Sequence, residues 1–331
     1  MAKKKRKRQP AKRKKKGGHK KLWTLFISLL FLGAVYLAPY ICSEEDYYQN
    51  AEGVAGAELK TKLHKTIREH VYLNFDQNTT ARYWWNNYFI ETDKDENGYF
   101  IDMYSAEKRK EYQGGSVQAR EHCMPRSWWA TKDEHAGCDA NGDLHNLFPS
   151  DYAANSAKGN LPLGEVGIAK FNNKMSKVGQ NTYPLGYRGQ VFEPADEYKG
   201  DFARVYFYMV TCYEDYAGSW RPFALQTMLR KEAYPAFQPW ALEMLMKWHA
   251  SDPVSDKERN RNEAVYKIQK NRNPFVDHPD LIEAIWGAEN KRPFKAGHVV
   301  VKQIDGLSDV IDFYDKRLGK TLKNIIPLLT D

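Results

Sequence analysis

The sequence predicts an α+β fold, a mixed and largely helical domain with short strands, preceded by an N-terminal membrane-directing segment. Apolar residues recur at helical spacing in several stretches of the chain. Between them lie short runs of β-formers bounded by Gly, Pro and polar residues. Before all of these, Leu22–Cys42 (LWTLFISLLFLGAVYLAPYIC) carries no charged residue. At 331 residues, 42% hydrophobic and 14% aromatic, the chain can fill a sizeable core.

As a helix, Leu22–Cys42 would extend roughly 32 Å, the thickness of a bilayer's hydrocarbon core. Residues 1–21 hold 13 Lys or Arg and no acid, whereas Glu44, Glu45 and Asp46 come directly after the apolar run. By the positive-inside rule residues 1–21 are a basic cytoplasmic tail, and the chain beyond residue 42 lies outside. The segment 22–42 is either a retained transmembrane anchor or a signal that is removed, with Cys42 a candidate for lipidation. The protein is therefore expected to be secreted, periplasmic or membrane-anchored, touching the membrane only through this segment. Net charge is +8, but the tail accounts for all of it and the remainder is acidic. Nucleic-acid binding thus cannot be argued from overall charge and would need a local basic groove.

Four cysteines agree with an extracytoplasmic location. Cys123 and Cys138 bracket one loop at a separation a disulfide can close, which leaves Cys212 with Cys42 as its partner. Two buried free thiols are the alternative, and the absence of a CxxC pair argues against structural zinc.

Gly56–His70 places Leu59, Leu63 and Ile67 four apart, the spacing of an amphipathic helix. Asn78–Trp85 opens with a helix cap. Asp93–Gly98 resembles the start of a calcium loop, yet its twelfth position is Tyr104 rather than Glu, so a polar turn is expected. Tyr99–Tyr104 has strand character. Tyr183–Asp201 reads as loop and short strands, and Phe202–Tyr216 as an apolar helix. Pro239–Ser251 and Asp256–Lys270 read as two more helices, the first with Pro near its N1 position. Asn271–Gly287 begins as a turn and ends as a helix, and Phe294–Asp331 contains the β-rich run HVVVKQI. There is no internal repeat and no phosphate-cradling glycine motif.

Chemistry concentrates between Arg120 and Asn160. Glu121 adjoins His122, His145 adjoins Asn146, and Asn155, Lys158 and Asn160 form a third polar cluster. On a helix Asn155 and Lys158 share a face, so an amide oxygen and an ammonium could converge on a metal and a phosphate. Phosphodiester hydrolysis needs a base near neutral pH, which a neutral His supplies, and a cation to offset charge on the phosphorus oxygens. Carboxylate and amide oxygens such as those of Glu121 and Asn155 suit Mg2+, which keeps several waters and so needs few protein ligands. Other residues here read as scaffold: His145 and Asn146 tying backbone, Arg204 and Asn273 in the body. Trp128 and Trp129 could stack on bases or fill the core.

The motifs Glu121-His122, Asp143-Leu144-His145-Asn146-Leu147-Phe148-Pro149 and Asn155-x-x-Lys158-x-Asn160 resemble those of the endonuclease I family of non-specific bacterial nucleases. The likeness extends through DMYS (Asp102–Ser105), KGDFAR (Lys199–Arg204) and KIQKNRNPFVDHP (Lys267–Pro279), and covers roughly residues 55–290. It implies a ββα-metal finger embedded in a mixed, largely helical nuclease domain over residues 50–295, with 296–331 a C-terminal extension of unknown role. It implies His122 as general base, Glu121 and Asn155 as ligands of one Mg2+ (Ca2+ or Mn2+ could replace it), and 5′-phosphate ends on DNA and/or RNA. Lys158 stands where the family more often has Arg, and leaves a point charge in place of a fork. The cation stabilising the transition state is expected in the loop between the first two motifs, as Arg126 or Lys132. A monomer is expected. The alternative is a catalytically inactive nucleic-acid-binding or surface protein on the same scaffold.

Overall fold

In a computed structural model of the chain, residues 47–75, 80–129, 139–288 and 293–295 are described. Residues Asn50–Ala296 form one compact unit; of the other unit, residues Met1–Gln49 with Gly297–Asp331, only residues 47–49 are described. The apolar segment 22–42, Cys42 and the HVVVKQI run lie outside the described residues. Among the described residues no helix is long and apolar enough to cross a membrane.

The compact unit is α+β, helices around two small antiparallel sheets. Helix α1, Gly56–Ile67, carries the expected stripe, and Leu59, Leu63 and Ile67 are fully buried. Each such side chain contributes about 1.5–3 kcal/mol on leaving water. Thr80 caps the helical segment α2, residues 81–92, by accepting from the Tyr83 amide. Asp93–Gly98 is the expected turn: Asp95 accepts from the amides of Asn97 and Tyr99, and Gly98 has φ +78°. Tyr99–Tyr104, expected as a strand, makes only the isolated bridge Lys94–Phe100. The reason lies in Asp102, whose carboxylate accepts from the amides of Tyr104 and Ser105 and folds the backbone into a turn.

Strand β1, Gln118–His122, pairs antiparallel with β2, Leu147–Asp151, with Glu121 opposite Phe148 and His122 opposite Leu147. Helix α3, Tyr152–Lys158, begins directly after β2. Asp151 starts it by accepting from the amides of Ala153 and Ala154, and Gly159, at φ +50°, ends it. Asp102 Oδ2 accepts from the Asp151 amide at 2.8 Å, which ties the turn after α2 to the start of α3. Next comes a three-stranded sheet of β3 Val166–Asn172, β4 Ser176–Asn181 and β5 Gln190–Pro194.

Helix α4, Lys199–Cys212, is buried at every residue except Lys199, which explains its apolar sequence on all sides. The short α5, Pro222–Thr227, leads toward α6, Pro239–Ser251. α4 packs against both α1 and α6. A capping box of Ser255 and Glu258 starts α7, Asp256–Gln269. Asn273 caps α8, Pro274–Asp277, and α9, Leu281–Trp286, closes the unit. Arg204 on α4 is fully buried and forks onto Glu258 at 2.5 and 2.8 Å while donating to the Asp252 carbonyl at 2.8 Å. Gly200, one turn earlier, admits this crossing, since a Cβ there would stand 2.1 Å from the Asp252 oxygen. Arg204 and Asn273 are thus scaffold. Arg204→Ala should lower unfolding free energy by about 3–5 kcal/mol, because Glu258 would remain buried without its partner; a denaturant titration giving under about 1 kcal/mol would reject this account.

Candidate active site

Two strands and one helix bring the three motifs together. β1 delivers Glu121 and His122, β2 carries the chain from the second motif into α3, and α3 delivers Asn155 and Lys158. Antiparallel pairing of β1 with β2 lays α3 back across the sheet, and α3 touches both strands.

His122 is 8% exposed, and its ring meets Phe75 at 4.9 Å and Trp129 at 6.0 Å, centroid to centroid. Its Nε2 lies 2.8 Å from the Asn141 carbonyl. A carbonyl oxygen only accepts, so Nε2 carries the proton and Nδ1 keeps the lone pair. Burial pushes the imidazole down to about 3; the bond to Asn141 opposes this, and the charges of Arg126, Arg120 and Lys158 add to it. Near neutral pH this ring is uncharged and has one basic nitrogen. Trp129 Nε1 donates to Asn141 Oδ1 at 3.1 Å and so holds the residue whose carbonyl fixes the tautomer.

Glu121 is 6% exposed and points to α3. Lys158, fully buried, donates to Glu121 Oε1 at 2.5 Å and to the His122 carbonyl at 3.1 Å. Burial raises the Glu121 carboxyl above its ordinary range, and Lys158 opposes that rise. The ammonium expected to face a phosphate is thus committed to the strand: its charge acts on the carboxylate. Glu121 Oε2 and the half-buried Asn155 amide have no hydrogen-bond partner among the described residues. Asn155 precedes Lys158 by three residues and shares its face of α3. A carboxylate oxygen and an amide oxygen, both unengaged, are hard donors that fit a divalent cation.

Arg126 begins the turn Arg126–Trp128, with its guanidinium carbon 5.1 Å from the Phe75 ring centre. Lys132 and Cys138 lie outside the described residues. Cys123 and Cys212 are buried thiols, and the disulfide expected between Cys123 and Cys138 falls outside the described residues. Burial keeps both thiols protonated. Trp128 and Trp129 are core rather than base-stacking surface: they are 0% and 7% exposed, and Trp128 Nε1 is spent on the Asn160 carbonyl.

The second motif secures the finger from behind. Asn146 exchanges hydrogen bonds with both backbone groups of Met124, at 2.7 and 3.1 Å, and His145 Nε2 donates to the Asn271 carbonyl at 3.2 Å. Asp143 accepts from the His145 amide and Gln269 Nε2 on one oxygen, and from the Tyr208 and Tyr213 hydroxyls on the other. Asp143, His70 and Cys212 bring potential ligand atoms within 4.8 Å of one another. The lone pairs of Asp143 are already committed to four donors, and the Cys212 thiol is held protonated, so this trio is a structural node. Sequence reasoning missed Asn141, Phe75 and Arg120, which surround His122. Arg120 alone had a sequence signal, two positions before His122 on a strand.

The endonuclease I family profile matches residues 55–280. An extracellular ribonuclease of Bacillus amyloliquefaciens is 37% identical over 254 residues, spanning 73% of this chain and 78% of that protein. An extracellular ribonuclease of Bacillus subtilis is 36% identical over 267 residues, spanning 78% and 84%. An extracellular deoxyribonuclease of Aeromonas hydrophila is 28% identical over 137 residues, spanning 41% and 49%.

Lys158→Met leaves Glu121 as a buried carboxylate without a cation. The cost should be about 3–5 kcal/mol near neutral pH. The unfolded state ionises in the ordinary glutamate range while the folded carboxyl holds its proton, so the deficit should grow as pH rises through that range and shrink below it. Unfolding curves at several pH values with a pH-independent deficit would contradict the pairing.

Proposed function

Because the chain belongs to the endonuclease I family and is a nuclease of that family, we propose that it is a non-specific, divalent-metal-dependent endonuclease that cuts DNA and/or RNA to leave 5′-phosphate ends. The observation carrying this reading is the neutral His122, with Nε2 tied to a carbonyl and Nδ1 left basic, beside the unengaged oxygens of Glu121 and Asn155. Glu121 and Asn155 would hold the cation. Mg2+ suits a site with two protein oxygens because it retains waters, and Ca2+ or Mn2+ would accept the same donors. When bound, it would supply charge stabilisation on the phosphoryl and leaving oxygens.

The chain's own residues do the rest. His122 Nδ1 takes a proton from water as the water oxygen bonds to phosphorus. The bond from phosphorus to the 3′ oxygen breaks, the 3′ oxygen gains a proton from solvent, and the phosphate stays on the 5′ side. Lys158 keeps the Glu121 carboxylate ionised and fixed. Arg126 is the cation offsetting charge on the phosphate, with Lys132 the other candidate from the same loop. Contacts to backbone phosphate carry no sequence information, in keeping with non-specific cutting. Relatives named as ribonucleases and as a deoxyribonuclease support action on both sugars, and relatives named extracellular support an extracytoplasmic enzyme. The nuclease domain, residues 50–295, would act outside the cell as a monomer, with residues 22–42 directing it to or across the membrane.

His122→Ala should lower turnover on plasmid and RNA by about 10²–10⁴-fold and leave Mg2+ affinity nearly intact. Glu121→Ala and Asn155→Ala should both weaken Mg2+ binding, with partial recovery of activity at higher Mg2+, and EDTA should abolish cleavage by the parent chain. Folded variants that all cut at the parental rate would reject these residues as the site, and a parent chain that cuts neither plasmid nor RNA would leave the inactive binding protein as the surviving reading.

A further inference from the structure

Side chains alternate along β1, so Arg120 and His122 share a face while Glu121 turns to α3. On that face the guanidinium carbon of Arg120 lies 3.9 Å from the centre of the Phe75 ring and 5.7 Å from that of Trp84. The guanidinium carbon of Arg126 lies 5.1 Å from the same Phe75 ring. Phe75 in turn meets His122 at 4.9 Å with the rings inclined at 61°. One aromatic ring thus contacts the basic imidazole and two guanidiniums at once. Both arginines are half-buried.

A guanidinium stacked on a ring uses its π face, and its N–H groups stay in the plane where they can fork onto two oxygens. Arg120 Nη1 also reaches the Phe75 carbonyl in a long 3.5 Å contact, which keeps the guanidinium over that ring. A phosphodiester carries one negative charge and gains a second as water adds to phosphorus. Two cations held in place beside the base are placed where that added charge forms, and such preorganised donors are the largest contributors to this kind of catalysis. If Arg120 served only to cover Phe75, the stack would contribute little, and that role would not explain why a second arginine and the base meet the same ring.

We propose that Arg120 is a catalytic residue that binds the non-bridging oxygens of the scissile phosphate together with Arg126, and that Phe75 is the positioning residue aligning both guanidiniums with His122. This rests on the nuclease reading above, and the experiment separates the two. Initial rates of the full chain with Mg2+ would be measured on plasmid and on RNA across a salt series, with folding followed by thermal unfolding. Arg120→Ala should lower kcat by about 10²-fold, the usual loss on removing one donor to a developing oxyanion. It should also reduce the slope of log KM against log salt by about one, the signature of a lost phosphate contact. Arg120→Lys should keep the slope and still lose kcat, because an ammonium cannot fork. Phe75→Leu should lower kcat with the slope kept. Parental kcat, or a parental slope, in folded Arg120→Ala would overturn the proposal; if that variant fails to fold, parental kcat in Arg120→Lys would do so. A parent chain that cuts neither substrate would instead overturn the nuclease reading and the clamp with it.

Discussion

A single buried ion pair holds the finger together. Lys158 reaches from the last turn of α3 to the Glu121 carboxylate and the His122 carbonyl on β1, at full burial. The ammonium fixes the strand end at two consecutive residues, and both are site residues. It also bears on the chemistry of the carboxylate: burial raises the Glu121 carboxyl above its ordinary range, and the adjacent positive charge opposes that rise. Asn155 lies three residues before Lys158 on the same face of α3. The departure from arginine at this position gains physical sense here. A compact ammonium fits between one carboxylate oxygen and one carbonyl where a planar fork would need more space.

The finger is short, and its rigidity is borrowed. Behind it, Asp143 gathers two tyrosine hydroxyls, a glutamine amide and a backbone amide, linking the loop before β2 to α4 and α7. Such a carboxylate is costly to bury, and its donors offset the cost only because all are present together. Asn146 serves the loop after β1 in the same way. The His122 ring is fixed by Asn141, a residue in the intervening loop, whose side chain is in turn held by Trp129. Each layer uses buried polar groups with defined partners, which sets geometry more sharply than apolar packing.

Much of the scaffold was legible from the sequence because its signals are local. Leu59, Leu63 and Ile67 recur with the period of a helix, and Ser255 with Glu258 closes a capping box three residues long. The strand reading of Tyr99–Tyr104 failed because Asp102 reorganises the backbone through its own side chain, a competition that β-propensity does not register. Loop length says only that two cysteines could meet; Cys123 is enclosed in the core. The tryptophan pair went to the core for the reason large aromatics usually do, which is the area each removes from water.

By itself, the sequence determined which residue types stand together: a carboxylate beside an imidazole, followed by an amide and an ammonium three residues apart on a helix. It also determined the α+β class, since helical and strand periods are written locally. Only the tertiary structure decided how those groups divide the work. Lys158 turned to Glu121 because the pairing of β1 with β2 brings α3 back over the carboxylate. His122 keeps its lone pair on Nδ1 because a carbonyl nineteen residues away accepts the hydrogen bond from Nε2. Arg120 and Phe75 came to lie beside His122 because strand alternation and the chain's return placed them on one face, contacts between residues far apart in the chain that no local pattern encodes.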